Sequence, residues 1–324
     1  MQVGLLWLQV KSKQDRPSTD NVTLNYHNIM KDFNRDKHIR IIQELDYKEQ
    51  YQNVTKASLK SDYNEANTIN VDLAAPLYRI MRYDRLCEIL RNNRLGMVHP
   101  QCWDDPYEVF LMRSYGLTPK GQSVGFEPIT QSLYGMCFTL KRECDGMWRS
   151  FTANTCTKCS FDVWKNCHGK LPITVKVKTT GRKLMDAFYD INDPFHALCY
   201  WIGKVDYLTS NEISQIISDG IDRITDNTAV NLIQTLLVKR KPFEYEKEVR
   251  LLFNMSKDTP ADQLDPPDLY YFQINPNVLF DEIEFSPWVS ENDVNKLTKE
   301  ISKHYSGKIS RSSLYDEPGI HITV

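Results

Sequence analysis

Glycine is scarce in this sequence, 13 residues in 324, and neither a Gly-x-Gly-x-x-Gly run nor a Gly-x-x-x-x-Gly-Lys run occurs. Loops that cradle phosphates on successive backbone N–H groups need such glycines, so kinases, P-loop ATPases and Rossmann dehydrogenases are set aside. No His-Glu-x-x-His pair is present for zinc-dependent hydrolysis. Long apolar runs are missing too, and none approaches the ~20 residues of a membrane-spanning helix. Neither charge dominates: 40 basic residues face 42 acidic ones, for a formal net charge of −2. That balance argues against a standing attachment to nucleic acid or to an anionic membrane and leaves a transient nucleic-acid substrate open. There is no internal repeat and no low-complexity tract.

What is present is an ordinary globular composition, 41% hydrophobic and 25% charged. The start, MQVGLLWLQVKSK, has a short apolar run with no basic residue ahead of it, and reads as a first strand rather than a signal peptide. Eight cysteines without a secretory leader fit reduced thiols in a cytoplasm. Residues 1–75 are polar after that strand, with one helix expected near Asp36 to Gln50, and read as an N-terminal extension packed on a main domain over 76–324. From Pro76 the pattern changes to short apolar strands, Leu77–Met81 and Leu133–Leu140 among them, mixed irregularly with amphipathic helices. Strands and helices do not alternate strictly enough for a doubly wound fold, so the expectation is α+β with a largely antiparallel or mixed, split sheet flanked by helices.

The stretch Pro242–Asn254, PFEYEKEVRLLFN, alternates with period two. Read as one strand, it places Glu244, Glu246, Glu248 and Arg250 on one face and Phe243, Tyr245, Val249, Leu251 and Phe253 on the other, with Lys247 the only intruder. Same-face neighbours lie roughly 7 Å apart, so Glu246, Glu248 and Arg250 together reach a single ligand of nucleotide size. The plain alternative is the wet face of a half-exposed strand. Lys239-Arg240-Lys241, just upstream, reads as the basic end of a helix.

Two other constellations compete. Cys144, Cys156, Cys159 and Cys167-His168 hold enough ligands for tetrahedral zinc, but a single Cys-x-x-Cys with irregular flanking spacings fits loose thiols better. Arg79 on the Leu77–Met81 strand is by default an ion-paired strand arginine, and Trp148 by default a core aromatic.

The order of the short motifs resembles a bacterial family carried as a domain of unknown function. It is borne by LYRIMRY at 77–83, DDPYE at 104–108, CFT at 137–139, MWRSF at 147–151, FEYEKEVR at 243–250 and IEFSPWVSENDV at 283–294. Here Asp104 stands where that family has Asn, and Arg149-Ser150 where it has Ser-His. The layout is similar to that of ADP-ribosyltransferases. It implies NAD as co-substrate, held by Arg79, Tyr78, Tyr83, Thr139 and Trp148: the guanidinium on the pyrophosphate, an aromatic (Trp148 or Tyr83) on nicotinamide, and Thr139 on the ribose. Glu248 would then stabilise the oxocarbenium-like ribose and Glu246 would serve as base for the acceptor, with Arg250 a structural partner of one carboxylate.

The resemblance implies a cytoplasmic mono-ADP-ribosyltransferase, a toxin-like effector of a defence or toxin–antitoxin module, in the latter case with an antitoxin partner. Its acceptor is left open between nucleic acid and protein. Two other classes stay in view: a non-enzymatic ligand-sensing or partner-binding module built on the Glu246/Glu248/Arg250 face, and a metal-dependent nuclease using Asp104, Asp105, Glu246 and Glu248.

Overall fold

Two apolar runs that read as strands in the sequence, Leu77–Met81 and Leu133–Leu140, become the edges of a split that organises the sheet. The computed structural model describes residues 35–52, 54–117, 120–126, 130–153, 173–189, 199–218, 230–255 and 268–319. The strand expected at the start and the Cys156-x-x-Cys159 loop with Cys167-His168 lie outside these residues. The chain begins with helices α1 (Arg35–Tyr51) and α2 (Lys56–Ala66), then strands β1 (Thr68–Ile69) and β2 (Pro76–Arg82), helix α3 (Tyr83–Asn92) and strand β3 (Arg94–Val98). A small hairpin, β4 (Tyr115–Leu117) and β5 (Ser123–Gly125), precedes β6 (Leu133–Thr139) and α4 (Asp145–Ala153). Next come β7 (Thr174–Thr180), α5 (Gly181–Phe188), β8 (Tyr200–Lys204), β9 (Asp206–Leu208), α6 (Ser210–Ser218), α7 (Val230–Thr235) and β10 (Val238–Arg240). The last elements are β11 (Glu248–Asn254), β12 (Leu269–Gln273), α8 (Pro276–Leu279), β13 (Glu282–Phe285), α9 (Glu291–Ile301) and β14 (Lys308–Arg311).

Among the described residues one mixed sheet runs β1-β8-β11-β6-β2-β7-β13-β14, with β12 joined to β3 and β3 to β6. The β1/β8 and β13/β14 pairs are parallel and the other pairs antiparallel. The fold is thus α+β, a mixed sheet flanked by helices. Strands β11 and β6 pair along their length, as do β2 and β7, yet β2 and β6 share the single pair Tyr78/Thr139. Beyond that pair the strands part, and β6 turns to β3 through Val98/Gly135. A backbone that leaves its neighbour in mid-sheet must satisfy its polar groups otherwise; the Arg79 guanidinium bridges part of the gap by donating to the Cys137 carbonyl, at 3.2 Å.

The Pro242–Asn254 stretch departs from its expected shape. Residues Lys241–Glu246 form a 3₁₀ turn, Lys247 takes a left-handed conformation at φ 45°, and only Glu248 onward is strand. The break falls at Lys247, the one charged residue in the otherwise apolar register of the stretch. The turn is pinned from β6: the Thr139 hydroxyl donates to the Glu246 carbonyl, and the Leu140 N–H donates to the Lys247 carbonyl at 3.0 Å. Strand β11 lies between β6 and β8, so all seven of its residues are buried. The half-exposed strand expected from the sequence is therefore a central one, and Arg250 is 0% exposed. Lys239, expected at a helix end, sits in β10, which pairs in parallel with β9.

Candidate active-site cleft

A cavity of about 800 Å³ opens along the split between β2 and β6, within the size range of small-molecule and cofactor sites. Tyr78, Arg79 and Ile80 form one lip and Gly135 to Thr139 the other; Glu246 and Glu248 close one end with Lys239, Arg240 and Glu108. Of the residues singled out in the sequence, the structure brings Arg79, Tyr78, Thr139, Glu246 and Glu248 to this one cavity.

The carboxylate end is a buried ionic cluster. Arg250 donates through Nε to Glu248 Oε1 at 3.0 Å and through a terminal nitrogen to Oε2 at 2.9 Å. Arg250 also donates to Glu108 and, at 2.6 Å, to the Leu236 carbonyl. Lys239 Nζ stands 2.6 Å from Glu246, 3.1 Å from Glu108 and 3.3 Å from Glu248. Three carboxylates against two cations leave one negative charge at the end of the cleft. Burial alone would raise the Glu248 pKa, but the charge and hydrogen bonds of Arg250, helped by Lys239, hold it down at about 2. Glu246 moves the other way: burial raises its pKa, Lys239 offsets this in part, and the charges of Glu248 and Glu108 add to the rise. The two glutamates of Glu-Lys-Glu are therefore electrostatically unlike, one firmly ionised and one nearer to a proton.

Arg79 is different from both cluster cations. It is half-buried, its guanidinium lies 5.8 Å from the Phe138 ring, and among the described residues no carboxylate comes within ion-pair distance. Desolvation lowers its pKa, eased by the neighbouring Cys137 and Glu248. An arginine with one backbone hydrogen bond and no counter-ion is a ready anion site.

Three sequence assignments change. Trp148 is fully buried, packs with Ile80 and Met147, and donates its indole N–H to Glu143; it does not line the cleft, so stacking on a ligand there is not open to it. Tyr83 begins α3, packs on Phe285 with ring centroids 6.3 Å apart, and faces a separate cavity with Cys87 and His304. Among the aromatics that do line the cleft is Trp103, whose ring lies 4.3 Å from the Arg250 guanidinium. It rests on bare backbone: a Cβ at Gly135 would come within 2.6 Å of the Trp103 ring, so this glycine is needed for a close approach. Thr139 lines the cleft, but its hydroxyl donates to the Glu246 carbonyl and accepts from the Lys141 N–H at 3.0 Å, so its first task is to hold the Glu246 turn.

Sequence reasoning missed Lys239, Glu108, Trp103 and Arg240. The Asp104–Glu108 segment is a turn: the Glu108 N–H donates to the Asp105 carbonyl and the Tyr107 N–H to the Asp105 carboxylate. Its larger role, placing Glu108 on Arg250 and Asp105 on Arg240 at 3.0 Å, spans more than a hundred residues and leaves no local signal. Those ion pairs also bear on metal binding. Asp105 is engaged by Arg240 and the glutamates by Lys239, and among the described residues no group of three or more His, Cys, Asp or Glu side chains is disposed to hold an ion. No helix among the described residues is long and apolar enough to cross a membrane.

No protein-family model matches the chain, and no curated protein matches it. Among solved structures it is similar to DarT from Thermus sp. 2.9 in complex with ADP-ribosylated single-stranded DNA, at 12% identity and a TM-score of 0.33, over 74% of this chain and 94% of that one. The same DarT in complex with NAD+ matches at 12% identity and a TM-score of 0.33, over 75% and 98% of the two chains. Its complex with carba-NAD+ matches at 13% identity and a TM-score of 0.31, over 75% and 97%.

Proposed function

We propose that the cleft is the active site of an NAD-dependent mono-ADP-ribosyltransferase. The observation that carries this reading is the polarity of the split: on the β2 lip an arginine with no ion-pair partner among the described residues, and at the end of the same cavity a carboxylate cluster with one negative charge in excess. That pattern is complementary to a ligand with an anionic pyrophosphate and a cationic pyridinium glycoside, which is NAD. The volume and the aromatic walls, Trp103, Phe138 and Phe243, fit such a molecule.

NAD supplies, when bound, a glycosidic bond whose rupture sends the electron pair to nicotinamide and leaves a cationic ribosyl centre. Arg79 holds the pyrophosphate through its fork of donors. Glu248, kept ionised by Arg250 and Lys239, presents fixed negative charge that needs no reorganisation as positive charge develops. Glu246, with its raised pKa and its more open position at the cleft, takes the proton of the acceptor hydroxyl or amine as the new glycosidic bond forms. Trp103 replaces Trp148 as the aromatic beside the reacting ring. The motif order extends the proposal to a toxin-like effector of a bacterial defence or toxin–antitoxin module acting in the cytoplasm on nucleic acid or protein.

The test is incubation of the full chain with labelled NAD and fractionated cell extract, following both nicotinamide release and label transfer, for wild type and Glu248→Gln. Release and transfer by wild type, with both reduced by two or more orders of magnitude in the variant, is the expected result. Transfer persisting in Glu248→Gln removes that residue from its role. Absence of nicotinamide release with every fraction leaves the cleft as a ligand-sensing or partner-binding site.

A further inference from the structure

Arg79 faces two cavities. Behind the main cleft, and sharing Arg79, Val98 and Met136 with it, lies a second cavity of about 250 Å³ between α3, β3 and β12. Its floor is apolar, built from Met81, Ile89 and Leu95, and its rim carries Arg85, Arg94 and Tyr271. Arg94 stacks over Tyr271 with its guanidinium carbon 4.0 Å from the ring centroid, and Tyr271 in turn lies against Gly96, where a Cβ would meet the ring at 3.0 Å. The result is a flat, rigid wall with an apolar floor beside it, suited to a planar heteroaromatic ring.

The charge of this cavity is unbalanced. Glu88 is the carboxylate that lines it, 3.0 Å from Arg85 and 3.7 Å from Arg94. Among the described residues three arginines, Arg79 included, against one glutamate leave two positive charges. The Nε–H of Arg94 is buried and makes no hydrogen bond among the described residues, an unsatisfied donor that a buried site ordinarily fills.

Resting on the reading of the main cleft, we propose that this second cavity seats the adenosine end of the dinucleotide, and that its surplus of arginine favours an adenosine bearing an extra ribose phosphate, so that the site accepts NADP at least as well as NAD. Arg79, common to both cavities, is placed to meet the pyrophosphate between them. A planar base takes the apolar floor and the Arg94/Tyr271 wall, and a 2′-phosphate takes the free donors of Arg94 and Arg85. In nucleotide sites generally, arginine beside the adenosine ribose is what accommodates that phosphate.

Calorimetric titration of the full-length chain with 5′-AMP, ADP and 2′,5′-ADP, and separately with nicotinamide mononucleotide, tests this without requiring catalysis. Expected are binding of 2′,5′-ADP at least as tight as that of ADP, a loss of about tenfold or more in 2′,5′-ADP affinity in Arg94→Gln, and unchanged mononucleotide binding in that variant. Arg85→Gln, on the exposed rim, gives the same trend more weakly and serves where Arg94→Gln fails to fold. Equal affinity of wild type and both variants for 2′,5′-ADP overturns the proposal, as does equal weakening of the mononucleotide. Failure of all adenosine phosphates to compete with NAD, with label transfer but not NAD cleavage lost in Arg94→Gln, overturns it in favour of an acceptor site. Glu248→Gln separates the two readings: adenosine phosphates still bind there if the pocket is right, whatever becomes of NAD cleavage.

Discussion

Two buried lysines, Lys176 and Lys239, each line a void that Tyr78 also lines, and both are surrounded by carboxylates and aromatic rings. Lys176 on β7 meets Glu143 at 3.3 Å and also Glu284, donates to the Arg142 carbonyl, and lies 5.6 Å from the Tyr78 ring and 5.2 Å from that of Trp148. Lys239 on β10 meets Glu108, Glu246 and Glu248, and lies 4.9 Å from the Phe243 ring. The chemistry is nearly the same, but the void beside Lys176 is about 10 Å³, and that beside Lys239 about 800 Å³. A void of the first size is at the lower limit for one water molecule. The first cluster therefore fastens the sheet, and the second shapes a field where a ligand fits. What separates them is the parting of β2 from β6, not the identity of the residues.

The largest expected effect breaks the Lys239 side of the comparison. Arg250→Met leaves Glu248 and Glu108 buried without their main cation, and removing one partner of a buried ion pair costs about 3–5 kcal/mol. Urea denaturation reads this loss, and a change below about 1 kcal/mol would show that the cluster is far wetter than its burial implies.

Next in size is the acid response. The folded-state pKa of Glu248, about 2, lies below its ordinary 4.5. Its contribution is therefore fully present above pH 4.5 and is lost as the pH falls towards 2. The difference is about 3 kcal/mol at most. Glu246 has the opposite sign, since its raised pKa disfavours the ionised folded state at neutral pH. Denaturation midpoints measured between pH 6 and 2 should fall more steeply for wild type than for Glu248→Gln; parallel curves would remove the assigned role of Arg250 and Lys239.

The lysines themselves are the direct comparison. Lys176→Met should lower stability by about 1–3 kcal/mol, because Glu143 keeps part of its access to water, while the folded fraction retains NAD turnover. Lys239→Met should lower turnover about a hundredfold, by releasing both glutamates of the cleft. Nicotinamide release per folded molecule checks both, and equal activity loss in the two variants would erase the distinction between fastening and shaping.

The elements were legible where residue pattern and environment agree. The apolar runs Leu77–Met81 and Leu133–Leu140 correspond to β2 and β6, and Glu248 lies in a late strand. Trp148 and Trp103 show the limit: both precede or follow charged turns, and only the parting of two strands decides which one is walled in and which one lines a cleft. The break at Lys247 left one mark, a charged residue on the otherwise apolar face, and a single intruder does not distinguish a 3₁₀ turn from a continuous strand. Lys239 was illegible because three consecutive basic residues suit a helix end as well as an edge strand. Glu108 reaches its partner across 142 positions, a distance over which no periodicity carries information.

The smallest expected effect sharpens the comparison at the mouth of the cleft. Phe151 on α4 and Tyr245 in the 3₁₀ turn line the cavity yet remain 43% and 41% exposed, whereas Tyr115, 68% exposed on the β4–β5 hairpin, is outside it. Exposed aromatic rings add little to stability, so Phe151→Ala, Tyr245→Ala and Tyr115→Ala should each stay within about 0.5 kcal/mol of wild type. The first two should raise KM for NAD or acceptor several-fold with kcat unchanged, the signature of binding shared by ground state and transition state. Tyr115→Ala should change neither constant. If the three variants proved kinetically alike, the mouth would be ordinary surface, and the specificity of this split would reside wholly in the buried ions behind it.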